Sequence, residues 1–225
     1  MPMWVRTTVI YPYTWPRQGR IASALAMDVR PGPLERAQAH VRDYEERERA
    51  RRQDVWAVPI HLRLSDGLKE LKPGEADTVI IAGMGGELII KILDEGRHVW
   101  DSVKQYVLSP QSDLDKVRRY LAAHGFAIED EAMVKDEGKY YTVMSVKRGF
   151  MEYESQAHYL YGKILIDKKD VILREYLGRE MLRIEKILVS LQAKDGITDT
   201  ETRAEARISR QKELSWIKEA QDEMQ

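Results

Sequence analysis

The sequence predicts an α/β sheet closed by an antiparallel hairpin and followed by two long helices. Three observations carry this reading. Short apolar runs alternate with stretches of helical periodicity from residue 21 to about residue 125. Three of those runs lead into Asp28, Ser65-Asp66-Gly67 and Gly83-Met84-Gly85-Gly86, residue types that turn a strand toward a helix. From 153 to 193 proline is absent, and Leu177, Met181, Ile184, Leu188 and Leu191 recur in steps of four and three.

The run IASALAM, residues 21–27, is the first readable strand and ends at Asp28. Pro31-Gly32-Pro33 follows, and proline is accepted in the first turn of a helix. The helix formers after it place Leu34, Ala37 and Val41 on one face. PIHLRL, 59–64, is the next strand. TVIIA, 78–82, is an unbroken apolar run, as a strand covered on both faces requires. Beyond the glycines, a helix through Leu88, Ile89, Ile92 and Leu93 stops at Gly96. A fourth strand, 106–109, precedes a helix from Asp113 to His124 with Gly125 as its stop. Residues 126–134 and 140–147 read as a hairpin turning through KDEGK. The expected organisation is a sheet domain over 1–150 and a helical coiled-coil domain over 151–225. In the latter, Lys194-Asp195-Gly196 breaks the first helix and a second, about 201–224, folds back on it.

Composition narrows the function. Lys and Arg number 36 against 37 Asp and Glu, a net charge of -1. That balance argues against binding nucleic acid by bulk charge but allows a local basic face. The absence of cysteine excludes disulfides, thiolate zinc sites, iron–sulfur clusters and cysteine nucleophiles. No apolar run approaches the roughly 18 residues of a membrane span. The opening MPMWVRTTVIYPYTWP has neither the apolar stretch nor the small-residue cleavage site of a signal peptide. A soluble cytoplasmic protein is expected, off the membrane and monomeric. His40, His61, His98, His124 and His158 show no metal spacing, so no metal is expected. The arginines between Arg36 and Arg52 alternate with Asp43, Glu45, Glu46 and Glu48, the pattern of a solvated helix face.

The turn residues are the candidates for chemistry. An aspartate closing a strand, such as Asp28, can accept hydrogen bonds from ribose hydroxyls; it can equally cap a helix or sit in a solvated loop. Asp66-Gly67 can accept the exocyclic amine of an adenine with close approach at the glycine, or form an ordinary Asp-Gly turn. Three glycines at one strand-to-helix turn exceed what a tight turn needs and leave backbone amides open to a ligand. The cluster is neither a Walker loop nor a GxGxxG fingerprint.

Taken together, AMDVRPGPLERA, LSDGLKEL, GEADTVIIAGMGG and DEGKYYTV resemble the bacterial tRNA (adenine-22-N1)-methyltransferase family, in order over residues 18–148. The resemblance implies a class I, Rossmann-like fold, dependent on S-adenosyl-L-methionine, that methylates N1 of an adenine in the D-arm of tRNA. It implies that Asp28 holds the cofactor ribose and Asp66 and Gly67 its adenine, with Val29 also among the cofactor-binding residues. Ala82, Gly83, Met84, Gly85 and Gly86 would wall the space between methyl donor and target base. Tyr140 and Tyr141 fall on a matching motif, for base stacking or for sheet packing. No catalytic residue is assigned.

The N-terminus departs from the family, which carries a first strand and glycine turn resembling A-D-V-G-S-D-H-G-Y-I-P. Here no Gly-x-Gly and no acidic residue precede Asp28. Codons for Met1 to Trp15, read from the third base of each, can yield A-D-V-G-S-D-H-G-Y-I-P-I-Y-L-A. The code forces Ala at Met1/Pro2, Val at Met3/Trp4 and Gly at Trp4/Val5. We read the segment as frameshifted, in the gene or in its sequencing. Three competing readings follow: a tRNA-binding remnant that has lost its cofactor loop, a nicotinamide-dependent oxidoreductase, and a coiled-coil adaptor. The oxidoreductase lacks its glycine fingerprint.

Overall fold

The computed structural model describes residues 8–11, 23–51, 59–192 and 200–225. Strands and helices alternate as β1 (Thr8–Tyr11), β2 (Ala24–Asp28), α1 (Pro31–Arg51), β3 (Ile60–Leu64), β4 (Thr78–Met84), α2 (Gly86–Glu95), β5 (Gln105–Pro110) and α3 (Leu114–Ala123). The hairpin β6 (Phe126–Asp136) and β7 (Lys139–Arg148) completes a seven-stranded sheet of order β3-β2-β1-β4-β5-β7-β6. β2 pairs parallel with β3 and β4 with β5, while β7 joins β5 antiparallel.

The centre of the sheet holds a reversal. β1 lies between β2 and β4 and runs antiparallel to both, with Thr8 opposite Met27 and Tyr11 opposite Thr78. The carboxyl ends of β2, β3, β4 and β5 form one edge, where open α/β sheets bind ligands. The carboxyl end of β1 lies at the other edge.

Packing groups the chain into two compact units, Met1–Asp130 with Val143–Met151, and Glu131–Thr142 with Glu152–Gln225. In the first, alternate residues of β4 and β5 (Val79, Ile81, Tyr106, Leu108) are buried, as are Ile89 and Leu93 of α2 and Val117 and Leu121 of α3. One face of these strands is thus fully buried, while Thr78, Ile80 and Ala82 of β4 and Gln105, Val107 and Ser109 of β5, on the other, are only partly covered. Phe126 meets Tyr106 and Trp100 edge-on at centroid distances of 5.5 and 4.9 Å, a favoured geometry for aromatic pairs. Arg148 covers that cluster, 4.6 Å from the Phe126 centroid, while donating to the His124 carbonyl at 2.6 Å. The hairpin turns at Glu137-Gly138, both at positive φ, as a two-residue turn between twisted strands demands.

In the second unit the first long helix expected from the sequence is interrupted. A π-helical turn (His158–Gly162) and α4 (Lys163–Asp167) precede α5 (Val171–Gln192), and α6 is Thr200–Glu223. Lys169 takes φ +52°, and the Asp170 carboxylate accepts from the amides of Ile172 and Leu173 at 2.9 Å. A left-handed residue ending one helix and an aspartate capping the next make the break. α5 and α6 are antiparallel: Arg174 donates to the Met224 carbonyl at 3.0 Å, and Arg183 pairs with Glu213 at 3.3 Å. Leu173, Leu177, Ile184, Ile217, Ala220 and Met224 form their buried seam.

Candidate active site

Three of the turns singled out in the sequence open into one cleft at the carboxyl edge of β2, β3 and β4. Its volume is ≈ 170 Å³, and Met27, Asp28, Val29, Arg30, Ser65, Asp66, Gly67, Met84, Leu88 and Ile92 line it.

Asp28 is the last residue of β2 and only 5% exposed. Its Oδ1 accepts from the Arg30 amide at 2.9 Å, and its own carbonyl accepts from the Ser65 amide at 2.9 Å, tying the ends of β2 and β3 together. Its Oδ2 is buried and has no hydrogen-bond partner among the described residues. A buried acceptor left open is costly, by about 1–3 kcal/mol. At the mouth of a cleft it fits a hydroxyl donor from a ligand. Val29, beside it, is exposed although apolar.

The next turn is built by Ser65, whose Oγ donates to the Gly67 carbonyl at 2.9 Å and accepts from the Glu70 amide at 3.2 Å. Gly67 sits at φ +62°, and a Cβ there would lie 3.0 Å from Ile92 Cγ1. Glycine therefore answers both a left-handed turn and a close approach to α2. Asp66 is hydrogen-bonded by Lys69 at 2.5 Å, which holds its carboxyl below the ordinary carboxylate range; Lys69 also reaches Glu95 at 3.1 Å. Asp66 is thus an anion at neutral pH at the cleft rim, able to accept from an exocyclic amine.

The glycine cluster divides its labour. Gly83, at φ +75° with open space around it, forms a bulge where the β4–β5 register shifts, and this re-aims Met84 into the cleft. Gly86 donates its amide to the Ser112 carbonyl at 3.1 Å, and a Cβ on it would lie 2.5 Å from that oxygen. Gln111 donates its amide to the Met84 carbonyl at 2.9 Å. The two bonds strap the turn after β4 to the turn after β5. Ala82, Gly83, Gly85 and Gly86 thus shape the wall behind Met84, and Met84 alone of the five lines the cleft. The expectation of freely available amides is met differently, since that of Gly86 is already bonded.

Met27, Arg30, Ser65, Leu88 and Ile92 were not anticipated as lining. Leu88 and Ile92 stand four apart on α2, in the apolar stripe that the sequence shows through Leu88, Ile89, Ile92 and Leu93. Ile89 and Leu93 do enter the core, whereas Leu88 stays 41% exposed and faces the cleft. With Val29 and Met84 these side chains offer apolar surface to a planar ring, between the acceptors of Asp28 and Asp66. Tyr140 is placed elsewhere, in the helical unit, edge-on to Tyr176 at 5.2 Å and donating to Glu175 at 2.9 Å. Three of the histidines make local contacts: His98 with the Leu71 carbonyl, His124 with that of Tyr120, His158 with Glu223. Among the described residues no three His, Cys, Asp or Glu gather as a metal site, and no helix is long and apolar enough to cross a membrane.

A sheet of this order, with its antiparallel last hairpin and an aspartate ending the second strand, is that of the Rossmann-like methyltransferases, and the cleft lies where such sheets take a nucleoside. More narrowly, residues 11–213 match the tRNA (adenine(22)-N(1))-methyltransferase family, and the chain belongs to it. The Bacillus subtilis tRNA (adenine(22)-N(1))-methyltransferase is 31% identical over 133 residues, 57% of this chain and 56% of that protein. The match thus spans little more than half the length of that relative. The crystal structure of the B. subtilis m1A22 tRNA methyltransferase superposes with a TM-score of 0.69 at 25% identity, covering 87% of this chain and 80% of that one. A Streptococcus pneumoniae candidate tRNA (m1A22) methyltransferase, solved in complex with S-adenosyl-L-methionine, gives 0.71 at 27% identity, covering 90% and 83%.

Proposed function

We propose that the chain transfers the methyl group of S-adenosyl-L-methionine to N1 of an adenine in the D-arm of tRNA. The observation that carries this reading is the buried, open Oδ2 of Asp28 at the end of β2, in a cleft with apolar walls and a second aspartate at its rim. The cofactor supplies an electrophilic methyl on a sulfonium. Asp28 accepts from the ribose, Asp66 from the adenine amine, and Val29, Leu88 and Ile92 cover the ring. Met84 and the strapped turns behind it form the wall toward the target base. Adenine N1 carries a lone pair in the neutral base, so the protein's task is alignment rather than proton abstraction. The methylated base is cationic, so a carboxylate or polarised carbonyl beside it would favour the charge that develops. N1 lies on the pairing edge, so the adenine must leave its stack to react. We assign the chemistry to the sheet domain, 1–150, and contact with the tRNA body to the helices of 151–225, acting as a coiled-coil clamp.

The test is incubation of the protein with S-adenosyl-L-methionine and an unmodified tRNA transcript, then nucleoside mass spectrometry. The expected product is 1-methyladenosine, lost when the adenine at position 22 is replaced by guanine. A product at another base, or one that survives the replacement, overturns the substrate assignment. The reversal of β1 favours a second reading, a chain that binds tRNA without transferring methyl. It predicts a gel shift with no 1-methyladenosine at any cofactor concentration.

A further inference from the structure

We infer that Gln111, on the turn after β5, is the specificity-determining residue for the target adenine, holding its N6 and N7 while N1 is left free to react. This rests on the methyl-transfer reading above and adds to it the group that reads the base.

Strand order sets where the second substrate enters. β2 and β4 both run antiparallel to β1, so β3, β2, β4 and β5 all finish at one edge. Their ends and the turns beyond them present, in that order, Asp66, Asp28, Met84 and Gln111. The first three line the cleft that takes the cofactor's nucleoside, with Met84 as its far wall. Displacement at a sulfonium is in line: the N1 lone pair forms the new C–N bond opposite sulfur, and the C–S pair returns to sulfur. The incoming base therefore approaches from beyond Met84, over the ends of β4 and β5.

Gln111 is fixed at that approach. Its backbone amide donates to the Met84 carbonyl at 2.9 Å, and Pro110 before it is the register partner of Met84. After it, the Ser112 carbonyl is held by the Gly86 amide at 3.1 Å. Asp113 follows at φ +54°, a left-handed conformation that a residue other than glycine keeps only where its surroundings impose it. The neighbouring polar side chains are engaged with one another. Ser112 Oγ donates to Asp113 Oδ2 at 2.6 Å, and Lys116 pairs with Asp113 Oδ1 at 3.1 Å. Gln111 is exposed, and its side-chain amide has no hydrogen-bond partner among the described residues.

A carboxamide suits both this base and this reaction. N1 must face the methyl group, so the base has to be held from its other polar edge. That edge carries the N6 donor and the N7 acceptor, which glutamine meets with two hydrogen bonds, Oε1 accepting from N6 and Nε2 donating to N7. Guanine presents two acceptors there, O6 and N7, and sets an oxygen against Oε1. The charge of the methylated base spreads to N6, so the bond from N6 to Oε1 strengthens as the methyl is transferred. It thereby favours the transition state over the bound substrate.

The full chain is assayed for methyl transfer on two tRNAs, one with adenosine at position 22 and one with 7-deazaadenosine there, which keeps N1 and N6 but lacks the N7 acceptor. The parent is expected to lose about 10-fold or more in kcat/KM on the deaza tRNA, the scale of one good base contact. Gln111→Ala is expected to lose a similar factor on the natural tRNA and to treat the two alike within about twofold, as a coupled pair requires. Gln111→Glu keeps an acceptor for N6 but sets an anion against N7, so its preference should turn round in favour of 7-deazaadenosine. Both variants retain the backbone amide bonded to Met84, and their thermal midpoints are expected to match the parent's. A parent that treats the two tRNAs alike, or an alanine variant that keeps the parent's preference, overturns the inference and leaves the methyl-transfer reading standing. A parent that methylates neither tRNA overturns both.

Discussion

Arg63 and Glu75 meet as a two-pronged ion pair, Nη1 to Oε2 at 2.7 Å and Nη2 to Oε1 at 2.5 Å. Arg63 is in β3 and Glu75 closes the segment that carries Asp66 and Gly67. The same guanidinium donates to the Glu70 carbonyl at 2.7 Å, and Glu75 accepts from the Lys72 amide at 3.0 Å. The pair is thus the clasp on the loop that forms one side of the cleft. Arg63's hydrogen bonds hold the Glu75 carboxyl at about 2, below its ordinary 4.5. A depressed folded value gives stability that is fully present above pH 4.5 and disappears as the pH falls toward 2. Glu75→Gln is therefore expected to lower the unfolding midpoint at pH 7, with the gap from the parent closing between pH 4.5 and 2. A gap that stays constant across that range would assign the loss to packing instead of charge.

Asp28 should trade stability for binding. Asp28→Asn retains an acceptor for the Arg30 amide and replaces a buried carboxylate, one oxygen of which is open, by a neutral amide that is cheaper to bury. The free protein is expected to gain about 1 kcal/mol, or roughly 2–4 °C at this chain length. The upward shift that adenosine or S-adenosylhomocysteine causes in the parent should disappear. Differential scanning calorimetry with and without each ligand reads both effects, and a lower midpoint in the free variant contradicts the idea.

Gly83, Gly85 and Gly86, at the end of β4 and the turn beyond it, should rank by cause. Gly86→Ala forces a Cβ within 2.5 Å of the Ser112 carbonyl, and overpacking of this kind costs about 1–3 kcal/mol. Gly83→Ala meets open space but must hold φ +75°, a cost of roughly 1–2 kcal/mol. Gly85→Ala meets only the rotatable Ser112 hydroxyl at 3.1 Å and is expected to be mildest. Urea unfolding of the three variants gives the order; Gly85→Ala as the most damaging would reassign that turn.

Asp170 caps α5 through two amide bonds. Asp170→Ala is expected to cost about 1 kcal/mol, and Asp170→Ser to recover most of it. Hydrogen exchange should localise the loss to the first turn of α5. Uniform loss across α5 and α6 would mean the break at 168–170 is held by something other than the cap.

The positions that converge on the cleft were legible because strand ends announce themselves. Asp28, Asp66-Gly67 and Met84 each follow an apolar run, and parallel strands bring such ends to one edge. The direction of β1 was not legible. TVIY is four residues of β-forming type, and a period-two pattern reads alike in either direction. The cleft face of α2 was hidden for a different reason: Leu88, Ile89, Ile92 and Leu93 form one stripe in sequence, and only packing splits it between core and ligand. The interruption at Lys169 left a faint signal, an aspartate ahead of an apolar stretch, which the uninterrupted absence of proline masked.

The grouping of β6 and β7 bears on inheritance. The chain passes from one compact unit to the other after Asp130, again after Thr142, and finally after Met151. Met133 and Tyr140, at the far end of the hairpin, belong with Leu165, Leu173 and Tyr176 in the helical core. The helices are therefore no cassette. A gene fusion or a protease that moved 152–225 as one segment would carry them off without part of their own interior. Descent can lengthen or trim these helices in place, but it transplants them only together with the strands that run into them.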